Sequence, residues 1–187
     1  MLIIDISRYV IYFVLLFICA WTDLKKGKIY NKNLLLYLIF FIFTYVIEYL
    51  ICIINKKELQ YTNDILINRL YGFLISFIIG FVFYILGIFK GGDSKLLSIV
   101  GLLSGKDNLL IHLIIIILVA GVFALYVLIK NKIFIKRFKR VFLYLRGLLL
   151  TLKFEKYTTD DDNIKFPFAI YILIGEIISY IYLFIRG

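Results

Sequence analysis

The sequence predicts an all-α, polytopic membrane protein with about six transmembrane helices. Of its 187 residues, 63% are hydrophobic and only one is proline. A soluble protein of this size cannot bury so large an apolar share. The apolar residues are gathered in runs, most of them close to the ~20 residues that an α-helix needs to cross a bilayer. Charged residues fall in the gaps between these runs, so we expect a single integral-membrane domain over residues 1–187.

Six apolar runs define the predicted spans. The first is followed at once by Asp23, without a small-residue cleavage site, so we expect it to be retained and not removed as a signal peptide. The fourth is short and, at about 1.5 Å per residue, reaches only half way across a bilayer. It must therefore extend towards Asn108 or be sheltered by its neighbours. The predicted spans are residues 3–21, 34–54, 70–89, 94–103, 109–129 and 166–185.

The basic residues predict the orientation of these spans. If the spans alternate in direction, the polar segments 22–33, 90–95 and 130–165 lie on one side and hold most of the 22 Lys and Arg residues. That side is predicted to be cytoplasmic, with both termini outside. The net charge of +10 then reflects orientation and contact with anionic lipid, and no nucleic-acid partner is expected.

The basic segment before the last span contains a predicted interfacial helix, residues 134–152. Its apolar residues recur at three- and four-residue steps and its basic residues fall elsewhere on the helix, which is typical of an amphipathic helix lying in the interface. A seventh span is the competing interpretation, but the uncharged part from Gly147 to Leu152 is too short. The acidic run Asp160, Asp161 and Asp162 is predicted to be a solvated loop and not a metal site.

Two aspartates stand next to predicted spans at the same face of the membrane. Asp23 follows the first span, and Asp93 follows Gly91 and Gly92 after the third. An ionisable residue at such a position suggests a functional site. Taken singly, Asp23 has a structural explanation as a solvated residue at a helix end, and Asp93 as a helix N-cap. Taken together, two nearby carboxylates are what acid–base hydrolysis of a peptide bond needs.

The sequence around these aspartates resembles the signature of the type IV prepilin peptidase and preflagellin peptidase family, the GxGD class of intramembrane aspartyl proteases. The stretch DLKKGKIYN begins at Asp23, and in that family an aspartate precedes a basic loop ending in Ile-Pro-Asn. The stretch GGDSKLL begins at Gly91 and is similar to the family's Gly-x-Gly-Asp-x-Lys-Leu. Lys90 stands at the first motif glycine, and Tyr30 replaces the proline before Asn31.

A third stretch resembles the family's entry to its last helix: Pro167 lies between Phe166 and Phe168. Cys19 and Cys52 are isolated, so the cysteine motifs of the bifunctional members are missing and their methyltransferase activity is not expected. Compact, peptidase-only members are the closer likeness.

The resemblance implies a membrane-embedded aspartic endopeptidase that removes the short basic leader from pilin-like precursors at the cytoplasmic face, just after a glycine. It implies neither a cofactor nor a metal. It assigns catalysis to Asp23 and Asp93. The residues that it assigns to active-site support are Gly91, Gly92, Lys95, Asn31 and Pro167.

Two alternative functions stay open. A signal-peptide-peptidase-like protease would cut within a span, but the sequence has no Tyr-Asp or Pro-Ala-Leu motif to favour it. A transporter or assembly subunit would use the two aspartates for ions. Among the other polar residues, His112 is predicted to lie at the outer end of the fifth span. Glu176, and similarly Glu48, is predicted to be a buried glutamate that holds helices together.

Overall fold

The computed structural model describes residues 2–54, 59–86, 88–130 and 167–186, with isolated positions at 135, 139 and 143. Within these residues it contains α-helices and no β-strand, and each long helix is apolar enough to cross a membrane. The prediction of an all-helical, polytopic membrane protein is confirmed. The helices are α1 (Leu2–Lys26), α2 (Asn31–Ile54), α3 (Leu59–Ile85), α4 (Gly91–Lys130) and α5 (Phe168–Arg186).

The number of helices differs from the prediction, because α4 replaces the predicted fourth and fifth spans. The sequence predicts a break between residues 104 and 108, and α4 has one at Gly105, where the backbone leaves the helical conformation and the chain reverses. The φ of 67° and ψ of 170° at Gly105 lie in a region that favours glycine. The described residues therefore form five numbered helices where the sequence predicts six spans, and α4 consists of two helical segments, residues 91–104 and 106–130. The predicted interfacial helix, apart from three isolated positions, and the acidic run at 160–162 lie outside the described residues.

The first part of α4, residues 91–104, is antiparallel to α3. Near its start, Ser94 Oγ donates a hydrogen bond of 2.7 Å to the carbonyl of Gly80. Just beyond its end, the backbone N–H of Lys106 donates one of 2.9 Å to Asn68 Oδ1. Because the partners on α3 have falling numbers as those on α4 rise, the two helices run in opposite directions.

The second part of α4, residues 106–130, is antiparallel to α5. His112 lies beside Glu176, and the ring of Phe123 stacks on that of Tyr171 at 5.2 Å. Phe89, just before α4, contacts Phe168 at the start of α5, with ring centroids 4.4 Å apart. The two helices thus begin at the same end of the bundle, and the chain reverses at Gly105 to return there. We call this end, where α1 also finishes, the aspartate end.

Glycine residues allow α3 and the first part of α4 to pack backbone against backbone. A Cβ added at Gly72 would overlap the carbonyl oxygen of Gly101, and a Cβ at Gly101 would overlap that of Gly72 and the hydroxyl of Ser76. Small residues at a helix interface permit this kind of close approach in membranes, where burial of apolar surface gives little force between helices. The α3–α4 pair therefore forms the most extensive helix–helix contact among the described residues.

A group of four charged side chains, of which Arg8 and Glu48 are buried and Asp5 is 39% exposed, joins α1, α2 and α3 far from the aspartate end. Arg8, only 1% exposed, bonds to Glu48 at 2.8 Å, to Thr44 at 3.0 Å and to Asp5 at 3.1 Å. Arg69 bonds to Asp5 at 3.2 Å, so two cations are matched by two carboxylates. The predicted burial of Glu48 is confirmed. Its partner Arg8 was not predicted.

We expect Gly101→Ala to destabilise the fold, because the new methyl group would overlap the α3 backbone. Over-packing of this kind costs about 1–3 kcal/mol. Gly121→Ala, on the same helix, is the matched control, since a Cβ there meets nothing within 4 Å. Thermal unfolding of both purified variants in detergent is the measurement. Equal midpoints for the two variants would contradict the close α3–α4 contact.

The Arg8–Glu48 ion pair predicts that substitutions of its two members have non-additive effects on the free energy of unfolding. Arg8→Met leaves Glu48 buried without its cation, and breaking a buried pair in this way costs about 3–5 kcal/mol. Arg8→Met combined with Glu48→Met removes both charges and leaves the Arg69–Asp5 pair intact. We therefore expect the double variant to recover most of the stability that either single variant loses. Additive losses in the same unfolding assay would argue against this pairing.

Candidate active site

Asp23 lies in the last turns of α1, where its side chain is 5% exposed. Its Oδ2 accepts a hydrogen bond of 3.2 Å from the backbone N–H of Ala169, in the first turn of α5. Four residues later Gly27, with φ 62°, donates its N–H to the carbonyl of Asp23 at 2.7 Å and ends the helix. Because Gly27 ends α1 four residues after Asp23, the carboxylate of Asp23 lies at the end of α1 and faces the start of α5.

Asp93 lies in the first turn of α4 and is 6% exposed. Its Oδ2 accepts a hydrogen bond of 3.0 Å from the backbone N–H of Lys90, and its own N–H donates to the carbonyl of Lys90. An acid that reaches back three residues to the N-cap is the acidic half of a capping box. The structural explanation considered from the sequence, Asp93 as the N-cap itself, is therefore wrong. Lys90 holds that position.

The fold brings the two carboxylates together at the aspartate end. Asp23 bonds to Ala169 beside Phe168, and Phe168 contacts Phe89 beside Lys90, the residue whose N–H bonds to Asp93, so both carboxylates lie at this end although they are 70 positions apart in the chain. Each uses Oδ2 to accept a backbone N–H. Within the described residues neither forms an ion pair with a lysine or arginine. The arrangement is a pair of buried carboxylates held by backbone amides, suited to acid–base chemistry on a bound water.

The two glycines before Asp93, predicted as active-site support, are residues that suit a tight turn or a close approach of the backbone. Both lie within the first turn of α4, and neither has a positive φ. A Cβ at Gly92 would lie 3.0 Å from Cβ of Ile29, in the loop after α1, whereas one at Gly91 would meet only the ring of Tyr84 at 3.7 Å. The close approach is therefore present at Gly92, and the tight turn is not.

The remaining predicted support residues also lie at this end. Lys95 Nζ donates a hydrogen bond of 3.1 Å to Asn31 Oδ1, which joins the starts of α4 and α2. Pro167 directly precedes α5, and its carbonyl accepts the N–H of Ile170 at 3.3 Å. The hydrogen bond of Lys95, which was predicted to support the active site, goes to Asn31 and not to either aspartate.

A second polar cluster lies inside the bundle. His112 and Glu176 are both fully buried and joined by a hydrogen bond of 2.7 Å. The predicted position of His112 at an outer interface is therefore wrong, because the reversal at Gly105 places it against α5. The prediction that Glu176 is buried and holds helices together is confirmed. Tyr12, which supplies its second hydrogen bond, was not predicted.

The described residues contain no candidate metal site. Among the described residues, no three His, Cys, Asp or Glu side chains are grouped so that they could hold a metal ion.

Comparison with protein families gives one match. A model described as the type IV leader peptidase family matches residues 10–125, which is more than half of the chain. The matched region begins in α1, ends in the second part of α4, and includes both aspartates. Neither curated proteins nor solved structures gave a match.

Proposed function

The chain belongs to the type IV leader peptidase family, and from this we propose that it is an aspartic endopeptidase of pilin-like precursors. In this proposal Asp23 and Asp93 form the catalytic dyad. The observation that carries it is that these two buried carboxylates lie at the same end of the bundle, within the region that the family model matches. The reaction removes a short basic leader, as type IV pilus and related secretion systems require of their subunits.

The proposed chemistry uses the dyad in two roles. One carboxylate is ionised and takes a proton from a bound water, whose oxygen attacks the scissile carbonyl carbon. The other is protonated and polarises the carbonyl oxygen. As the C–N bond breaks, the leaving nitrogen takes up a proton from the dyad. The two protonation states belong to the coupled pair, so neither role is assigned to one aspartate.

Backbone hydrogen bonds support this use of the two acids. Ala169 N–H holds one oxygen of Asp23, and Lys90 N–H holds one oxygen of Asp93. Backbone donors at helix starts are fixed by the fold, so they can orient the carboxylates with little reorganisation during the reaction. Neither bond requires a side chain that would compete with substrate for the space between the two acids.

The orientation that we propose places the aspartate end at the cytoplasmic face and both termini outside. Lysine side chains at this end lie over aromatic rings: Lys25 over Trp21 at 4.2 Å and Lys130 over Tyr126 at 5.9 Å. Aromatic rings and lysines together are typical of either membrane–water interface, and Lys106 lies over Tyr71 at the opposite end. The excess of basic residues in the segments at the aspartate end is what favours the cytoplasmic side. The lysines at the aspartate end support contact with anionic lipid headgroups. A substrate leader that emerges at this face would meet the dyad where the pilin helix leaves the bilayer.

We expect Asp23→Asn and Asp93→Asn each to abolish cleavage, by about 10²-fold or more, because each acid supplies a different proton transfer. Asparagine keeps an oxygen for the backbone N–H, so both variants should stay folded. Asp107→Asn is the matched control, since Asp107 is exposed and bonded to Asn68 near the chain reversal. Conversion of a co-expressed pilin-like precursor, followed by gel shift, is the measurement. Substantial cleavage by either folded dyad variant would exclude the mechanism, and a parent protein that never cleaves would favour a non-enzymatic role.

The two glycines give a second matched pair. Gly92→Ala forces Ile29 or the start of α4 to move, and we expect kcat/KM to fall about tenfold, with a larger loss for Gly92→Val. Gly91→Ala has ordinary contact only and should stay within about twofold of the parent, the usual range for a tolerated change. Steady-state cleavage of the same precursor measures both. Equal activities for the two alanine variants would show that the close approach at Gly92 is unimportant.

A further inference from the structure

The second polar cluster connects three helices through one carboxylate. Tyr12 Oη on α1 donates a hydrogen bond of 2.8 Å to Glu176 Oε2, and His112 Nδ1 on α4 bonds to Glu176 Oε1 at 2.7 Å. All three side chains are fully buried. We call this set of Tyr12, His112 and Glu176 the α5 clamp. Both oxygens of one glutamate on α5 are thus fixed, each by a different helix.

The clamp and the contact to Asp23 lie on one face of α5. Ala169 and Glu176 are seven residues apart, which is close to two helical turns and about 10 Å along the axis. Both are fully buried. Two turns of hydrogen-bonded helix are stiff, so the position of Glu176 along α1 determines where the first turn of α5 meets the end of α1.

Close packing leaves little room for α5 to shift relative to α1 and α4. Gly175, beside Glu176, lies so near α4 that an added Cβ would be 2.8 Å from Ile116 Cα. Tyr180, one turn further on, packs edge-on against Tyr9 of α1 and His112 of α4 at 5.4 and 4.9 Å. The apolar contacts hold α5 against its neighbours sideways. Among the described residues around Glu176, only the clamp supplies directional hydrogen bonds to α5. These bonds fix the position of α5 along the bundle axis.

We propose that Glu176, with Tyr12 and His112, is a positioning residue for the reaction of the dyad. It holds α5 in the register that keeps the N–H of Ala169 on Asp23 Oδ2. The inference rests on the proposed function, since it gives the clamp a role in that same site. None of the three clamp residues touches substrate or the reacting atoms. They act through the α5 backbone.

The size of the expected effect follows from the geometry of the dyad. A displacement of about 1 Å in a catalytic group can lower a rate by as much as 10²-fold. If the clamp is lost, Asp23 loses its fixed orientation while both aspartates remain. Because the chemical step depends on the orientation of Asp23, losing that orientation lowers kcat. Substrate affinity should change little, because the clamp lies two turns inside the bundle.

Four variants separate positioning from simple stability. Glu176→Leu removes both acceptors. Tyr12→Phe removes one donor at almost constant volume, so it is the milder variant expected to fold in any case. Glu176→Gln keeps both bonds, because its amide oxygen accepts from Tyr12 and its amide nitrogen donates to neutral His112. Ser179→Ala is the matched control, since this fully buried hydroxyl bonds only within α5, to the carbonyl of Gly175 at 2.7 Å.

The measurement is kcat and KM for a pilin-like precursor, using protein that elutes as a folded species from size exclusion. We expect kcat to fall about 10²-fold in Glu176→Leu and about 3–10-fold in Tyr12→Phe, with KM within about twofold. Glu176→Gln and Ser179→Ala should match the parent. Parent-like kcat in folded Tyr12→Phe and Glu176→Leu, or a loss in Glu176→Gln as large as in Glu176→Leu, would overturn the proposal.

A cross-linking readout keeps this test independent of activity. Asp23→Cys and Ala169→Cys are introduced together into a chain whose Cys19 and Cys52 are changed to alanine. We expect rapid oxidation to a disulfide when residue 176 is Glu or Gln, and oxidation at least about tenfold slower after Glu176→Leu, because bond formation demands close and specific geometry. Equal rates would overturn the clamp's role in register. Cleavage by the parent enzyme decides the proposed function separately.

Discussion

The fold depends on one constraint: a polar side chain inside a lipid-embedded bundle must find its partner within the protein. Arg8 is satisfied by Glu48 and Thr44 of α2, and Glu176 by Tyr12 of α1 and His112 of α4. Each partner lies on a different helix from the side chain that it bonds. Satisfying the buried polar groups therefore decides which helices are neighbours and in what register, whereas apolar side chains would accept many arrangements.

Glycine decides how the chain can meet that constraint. The contact between Gly72 and Gly101 lets the first part of α4 pack directly on α3, and Gly105 then reverses the chain. The reversal returns the second part of α4 along α5, which brings His112 to Glu176. A larger residue at the reversal would be strained at a φ of 67°. The buried polar contact of α5 thus depends on a conformation set elsewhere in the chain.

The sequence was sufficient for features that depend only on counting apolar runs. Alternation of the spans predicted that Asp23 and Asp93 share one end, and both lie at one end of the bundle in the structure. It was insufficient for features that depend on helix register. His112 was wrongly assigned to an interface, because the position of a residue along a span does not show which helix its side chain will face. Arg8 was overlooked inside an apolar run, although a cation there needs a buried acid, and Asp5 three residues earlier offered one signal.

Several lysines at the aspartate end have partners other than Asp23 and Asp93, the two acids of the proposed dyad. Lys95 is bonded to Asn31, while Lys25 and Lys26 lie over the rings of Trp21 and Tyr30. None of them forms an ion pair with Asp23 or Asp93 in the described residues. In the proposed mechanism one of the two carboxylates must hold a proton, and a lysine paired with either of them would favour the ionised form. The basic loops can therefore serve the membrane interface without turning the dyad into a pair of salt bridges, which would remove the acid that the proposed hydrolysis requires.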